Sequence, residues 1–195
     1  MISTLNILQA NLMKSSGVQD ALYNDPELWE FDLILIQEPH YFDFGNSVHV
    51  TGAGPNFETI KPRTTEDRNQ DGRIRSCIWA NKNNDFIQLP TNSNDITAVI
   101  LQKANRNILV VSVYIPHRTS IREENEQNLS CRLQEIQRMI DREKRINPEL
   151  EILVAGDFNR HDSLWGGSQV VLEQRHGEGS GILDFIEDNN LQVFT

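Results

Sequence analysis

The segment Phe31-Asp32-Leu33-Ile34-Leu35-Ile36-Gln37 shows almost no polar–apolar alternation. A strand with one wet face alternates with a period of two, whereas a strand covered on both faces reads as a continuous apolar run. This segment is therefore an inner strand, and the chain must supply layers to cover it. Leu5 to Asn11 reads as a first strand, and Val18 to Trp29 as a short helix that Pro26 must interrupt, unless Pro26 begins a new turn. Arg73 to Ala80, Phe86 to Leu89, Ile96 to Gln102 and Asn107 to Tyr114 read as further strands. Asn-rich turns such as Asn81-Lys82-Asn83-Asn84 separate them. Residues 39–72, rich in Gly, Pro, Asn and charge, read as long surface loops with at most one short strand. The spacing predicts a helix over Ser120 to Ile146. Ser120 and Glu123 have capping-box spacing, Leu129, Leu133, Ile136 and Ile140 form one apolar stripe, and Pro148 stops the helix. Glu151 to Gly156 is the next buried strand, Ser180 to Asn189 a helix, and Leu191-Gln192-Val193-Phe194 begins another strand. With no internal repeat and no long linker, the pattern predicts one layered α/β sandwich domain over 1–195.

At 195 residues with 38% hydrophobic and 24% charged residues, a soluble globular domain is expected. The best candidate for a membrane span, Ile108 to Ile115, is only of strand length, so no membrane span is expected. The opening Met1-Ile2-Ser3-Thr4-Leu5 lacks a basic region and a long apolar core, which argues against a secretory signal. Cys77 and Cys131, far apart, read as reduced thiols of an intracellular protein. The net charge of -10 argues against a nucleic-acid binder, which needs Lys and Arg for phosphates. Its distribution softens that objection. Residues 1–59 hold one Lys against eight acids, whereas residues 60–82 hold Lys61, Arg63, Arg68, Arg73, Arg75 and Lys82 against three.

Polar residues cluster where buried strands end. These ends are Gln9-Ala10-Asn11, Gln37-Glu38-Pro39, Tyr114-Ile115-Pro116 and Gly156-Asp157-Phe158-Asn159. Any one could cap a loop, but four together suit a single rim, where α/β proteins bind ligands. Phosphodiester cleavage needs a hard cation to neutralise charge on the phosphoryl oxygens and the leaving group. Mg²⁺ takes oxygen ligands, commonly one or two carboxylates with waters and substrate phosphate. Glu38 fits a direct ligand, and Asn11 a neighbour that supports it. Asp157 fits the group that positions or deprotonates the attacking water. Asn159, on the same face if the backbone stays extended, can donate to a phosphate oxygen. Tyr114 can donate its phenolic proton to the developing charge.

These motifs in this order resemble the endonuclease/exonuclease/phosphatase superfamily. The flanks Leu8-Gln9-Ala10-Asn11-Leu12-Met13-Lys14-Ser15 and Asn159-Arg160-His161-Asp162-Ser163-Leu164-Trp165-Gly166 are similar to the apurinic-type endonuclease domains of non-LTR retrotransposons, as is Asp95-Ile96-Thr97-Ala98-Val99. The resemblance runs from residue 4 to 195. It implies a four-layered α/β sandwich, two packed mixed β-sheets flanked by helices. It also implies Mg²⁺ (or Mn²⁺) held by Glu38 and Asn11, a DNA substrate, fusion to or neighbourhood with a reverse transcriptase, and a nuclear location when active. Two departures stand out. Some repair enzymes carry an acid where this chain has Met13. The family's later Asp and Ser-Asp-His have no counterpart before Thr195, so the resemblance implies a C-terminally truncated domain lacking its last strands.

His161 and His117 are candidates to replace the absent histidine, while His40, His49 and His176 read as loop residues. Trp165 is a candidate for base stacking or for core packing. Arg73 and Arg75 are candidates for substrate phosphate or for a solvent-exposed salt bridge. The leading expectation is a DNA-nicking endonuclease. The alternatives are a lipid or inositol phosphodiesterase with the same chemistry, favoured by the pI near 4.9, and a non-catalytic remnant.

Overall fold

The computed structural model describes residues 4–44, 48–50, 52, 54–63, 73–117, 120–166 and 177–194. Its contacts fall into two compact units, residues 1–114 with 139–157, and residues 115–138 with 158–195.

The first unit holds two four-stranded mixed sheets. One contains β1 (Ile7–Asn11), β2 (Leu33–Gln37), β6 (Ser76–Asn81) and β5 (Phe57–Ile60), in that order. The other runs β10 (Glu151–Asp157), β9 (Arg106–Tyr114), β8 (Ile96–Lys103), β7 (Asp85–Leu89). Each sheet contains one parallel pair, β1 with β2 and β9 with β10, and is otherwise antiparallel. A parallel pair needs a crossover. The first crossover contains α1 (Ser16–Tyr23) and a 3₁₀ helix (Pro26–Glu30), the second α2 (Arg122–Ile146). The first helix ends at Tyr23, and Pro26 begins a new turn at the start of the 3₁₀ helix, where its missing N–H costs nothing.

Leu33, Leu35, Ile78, Ala80, Val99, Leu101, Ile108 and Val110 form the core between the sheets. Ile34, Ile36, Cys77 and Trp79 face the other way, onto Leu12, Leu22 and Leu28. This explains the missing alternation of β2, all five of whose residues are buried. Each such aliphatic side chain contributes about 1.5–3 kcal/mol by leaving water.

In the loop region 39–72, three short strands are present: β3 (Tyr41–Asp43), β4 (Val48–Val50) and β5. His49 thus lies in a strand and not in a loop. The helix over 120–146 begins at Arg122, with the Asn125 N–H already bonded to the Ile121 carbonyl, so the predicted Ser120 start is displaced.

In the second unit, the predicted stripe on α2 is buried at Leu129, Leu133 and Ile136. α3 (Ser180–Asp188) packs there, its Gly181 lying against Leu129 and Leu133. Asn189 and Gln137 exchange side-chain hydrogen bonds of 2.6 and 3.2 Å. The strand expected over Leu191 to Phe194 is not formed. Asn190 turns left-handed (φ 51°) and the Leu191 N–H closes on the Ile186 carbonyl at 2.9 Å, so these residues finish the helix. Among the described residues they pair with no strand, and an unpaired apolar segment has no ladder to join.

Candidate active site

Period-two alternation decides what reaches the end of the inter-sheet seam. On β9, Ile108 and Val110 face the core, so Ser112 and then Tyr114 follow on the same side. On β10, Leu153 and Ala155 are followed by Asp157, and on β1, Ile7 is followed by Gln9 and Asn11. The penultimate positions form a polar layer. Gln9 Nε2 donates to Gln37 Oε1 at 2.5 Å, and Gln37 Nε2 donates to Ser112 Oγ at 2.9 Å. Ser76 Oγ donates to the Ser112 carbonyl at 2.9 Å, and Thr97 Oγ1 to the Ser76 carbonyl at 3.0 Å. Gln37, Ser76, Thr97 and Ser112 are fully buried, so each bond spares a desolvated group worth about 1–3 kcal/mol if left unmade. The layer ties the two sheets together directly beneath the strand ends.

Above it, Asn11 Nδ2 donates to Asp157 Oδ2 at 2.7 Å, and Asn11 Oδ1 accepts the Met13 N–H at 2.8 Å. Tyr114 and Asp157 are register partners on the parallel β9–β10 ladder. The Tyr114 hydroxyl donates to Glu38. Burial, then the negative charges of Glu38 and Asp157, push its phenol up to about 12, with Arg75 opposing them. Tyr114 therefore keeps its proton at neutral pH and remains a donor. Glu38 adopts a left-handed backbone (φ 47°), uncommon for a non-glycine residue. Its N–H bonds to the Arg75 carbonyl at 2.9 Å and its carbonyl accepts the Lys14 N–H at 2.8 Å. Such conformations persist where the surroundings over-determine them, and they concentrate at working sites.

Four of the residues predicted from strand ends, Asn11, Glu38, Tyr114 and Asp157, are thus linked in two contacting pairs at one end of the sheets, with Glu38 and Asp157 both acting on Tyr114. Arg75 lies beside them, its guanidinium 5.8 Å from the Tyr114 ring centre and paired with Asp95. Arg73 is exposed on the approach to β6. Arg68 and His176 lie outside the described residues.

Asn159 belongs to the second unit and departs from the expected extended backbone. Its φ is 48°, and its Nδ2 donates to the Ile115 carbonyl at 2.9 Å. The β10 strand stops at Asp157, and Asn is one of the few residues that enter the left-handed region readily. The next residue, Arg160, is buried and clasps the carbonyls of Pro116, Asn125 and Asn159. Trp165 donates its indole N–H to the Arg160 carbonyl at 3.0 Å, and its ring lies where a side chain on Gly179 would stand. These contacts describe a packing role. The His161 N–H points at the Glu178 carboxylate at 3.3 Å, and His117 is exposed.

Sequence reasoning assigned no role to Lys14, whose ammonium lies 3.1 Å from Glu38, or to the buried carboxylate of Asp95. The available signal for Lys14 was its place just after Asn11; Asp95 sits just before a strand.

The oxygen donors Glu38, Asp157 and Asn11 suit a hard cation. Among the described residues no group of three or more His, Cys, Asp or Glu could hold a metal ion, so a cation at this rim would rest on fewer than three such side chains. Mg²⁺ does fit, since one or two carboxylates with waters and phosphate suffice for it.

The fold is an α/β sandwich of two mixed sheets. In comparison with known proteins, residues 108–195 match the family described as endonuclease-reverse transcriptase. The endonuclease domain of TRAS1, a telomere-specific non-LTR retrotransposon, is similar with a TM-score of 0.67 at 19% identity, over 95% of this chain and 70% of that one. Sphingomyelinase C from Streptomyces griseocarneus gives 0.57 at 14%, over 88% and 69%. A hairpin-deletion mutant of beta toxin from Staphylococcus aureus gives 0.57 at 14%, over 94% and 72%. At these identities the structures speak for the fold. No curated protein matches the chain significantly.

Proposed function

We propose that this chain is a Mg²⁺-dependent phosphodiesterase domain that nicks DNA, of the kind a non-LTR retrotransposon encodes beside its reverse transcriptase. The observation that carries the reading is the convergence of Asn11, Glu38, Tyr114 and Asp157 at one end of two packed sheets. The family match over 108–195 supports a nucleic-acid substrate.

When bound, Mg²⁺ would offset charge on the phosphoryl oxygens and the departing oxygen. Glu38 and Asn11 would hold it through side-chain oxygens. Asp157, fixed by the Asn11 amide, orients the attacking water and takes its proton. Water oxygen bonds to phosphorus as the phosphorus–O3′ bond breaks, and O3′ takes a proton from solvent to leave a 3′-hydroxyl. Tyr114 donates a hydrogen bond to the oxygen on which charge develops. Arg73 is a candidate phosphate contact. Asn159, with its amide turned to Ile115, acts on the loop that follows Asp157.

The test is conversion of supercoiled plasmid to open circle with Mg²⁺. Equal nicking by Glu38→Ala or Asp157→Ala would refute the assignment. The second reading, hydrolysis of a lipid or inositol phosphodiester, draws on the acidic pI of 4.9 and on the sphingomyelinase C likeness. Parallel assays on duplex DNA, sphingomyelin and inositol phosphates separate the two.

A further inference from the structure

We propose that Arg75 and Asp95 are positioning residues whose ion pair braces the strand end carrying Glu38 against the strand end carrying Tyr114. Arg75 directly precedes β6 in one sheet, and Asp95 directly precedes β8 in the other. Their side chains form an ion pair: Nη2 donates to Oδ2 at 3.3 Å, and Nε lies 2.5 Å from Oδ1 without the alignment of a hydrogen bond. Their main chains hold the two reacting groups. The Arg75 carbonyl accepts the Glu38 N–H at 2.9 Å, and the Asp95 carbonyl accepts the Tyr114 N–H at 2.8 Å. One cross-sheet ion pair thus joins the backbone anchors of two residues that are themselves hydrogen-bonded.

The pair is no solvated surface contact. The Asp95 side chain is 1% exposed and the Arg75 side chain 29%. A carboxylate so buried is tolerated when it is paired and hydrogen-bonded. The planar guanidinium, lying against the carboxylate at two points, also limits orientation more than a lysine ammonium does. The guanidinium then extends over the Tyr114 ring, 5.8 Å from its centre. Asp95 anchors the end of Arg75, so Arg75 is committed to the protein and not to substrate phosphate.

The inference rests on Glu38 and Tyr114 being reacting groups, so its test has one arm independent of turnover. The chain has three tyrosines, Tyr23, Tyr41 and Tyr114, and fluorotyrosine labelling gives three fluorine resonances, assigned with Tyr114→Phe. Arg75→Gln and Asp95→Asn should each shift the Tyr114 resonance and leave those of Tyr23 and Tyr41 in place. In nicking assays both variants should lower kcat about 10- to 100-fold and hold KM within about twofold, as expected for misplacement on the order of 1 Å. Arg75→Lys should recover part of kcat. Asp95→Asn preserves side-chain size and Arg75→Lys preserves charge, so thermal midpoints separate positioning from loss of fold. A raised KM with unchanged kcat and a shallower salt dependence would make Arg75 a phosphate contact and overturn the brace. An unmoved Tyr114 resonance in both variants would overturn it as well. A chain that nicks no DNA refutes the proposed function and leaves the resonance to decide the brace.

Discussion

Gly156→Ala tests the geometry of the site without touching a reacting group. Gly156 faces Val113 on the β9–β10 ladder, one position before the Asp157–Tyr114 pair. A methyl at Gly156 would stand 1.9 Å from the Val113 carbonyl oxygen and within 3 Å of the Val113 carbonyl carbon and nitrogen. A carbon–oxygen contact needs about 3.3 Å, so the strands must separate locally by roughly 1.4 Å. The backbone there cannot rotate away cheaply, since it belongs to the ladder. Overpacking costs about 1–3 kcal/mol, and one or two weakened ladder bonds add about 1 kcal/mol each. A loss of about 3 kcal/mol should lower the melting temperature of a chain of this size by about 10 °C. The shift is passed to the adjacent Asp157 and Tyr114, so kcat for nicking should fall about 100-fold. Circular-dichroism melting and plasmid nicking measure both. A variant that melts within about 2 °C of the parent and nicks at its rate would refute the close approach and the reason for a glycine before Asp157.

Two further outcomes are expected. Asn159→Ala removes the bond to Ile115 and puts alanine, which tolerates a left-handed backbone less well than asparagine, at φ 48°, for about 2 kcal/mol in all, whereas Asn159→Gly loses the bond but relieves the backbone; equal urea midpoints for the two would contradict the conformational argument. Burial would raise the Asp32 carboxyl, but Lys103, the Asn6 N–H and Asn84 outweigh it and hold its pKa below the ordinary carboxylate value. A lowered pKa gives stability that is present above the unfolded value and lost as pH falls through the folded one. Urea midpoints of the parent should therefore drop more steeply below about pH 4 than those of Asp32→Asn, and parallel profiles would remove this pair from the account of acid stability.

Much of the fold is legible because its strongest signals are local. The apolar run at Leu33–Gln37 needs burial on both faces wherever it lies, and the stripe from Leu129 to Ile140 has only one helical solution. The strand-end motifs are legible for the same reason: Asn11, Tyr114 and Asp157 each end a recognisable strand. What escaped reading is short or long-range. Tyr41–Asp43 and Val48–Val50 are three residues each, too few to display a period. Leu191 to Phe194 has strand-like side chains, but strand formation depends on a partner. Glu38 carries no local mark of a left-handed backbone, since the cause is its anchoring to Arg75 and Lys14. Asn159 was expected in line with Asp157 because two residues of extended chain share a face, and the strand ends between them. The Arg75–Asp95 pair spans twenty residues and two sheets, which periodicity does not reveal.

The central claim is that Glu38 and Asp157 drive metal-assisted cleavage of a DNA phosphodiester at the rim shared with Asn11 and Tyr114. Its most direct test is the nicking of supercoiled plasmid by the chain, alone and within its natural flanking sequence, in Mg²⁺ and in EDTA. Open circles bearing a free 3′-hydroxyl should accumulate only with the metal, and Glu38→Ala and Asp157→Ala should abolish them. Nicking that persists in EDTA, or in either variant at the parent rate, would contradict the account.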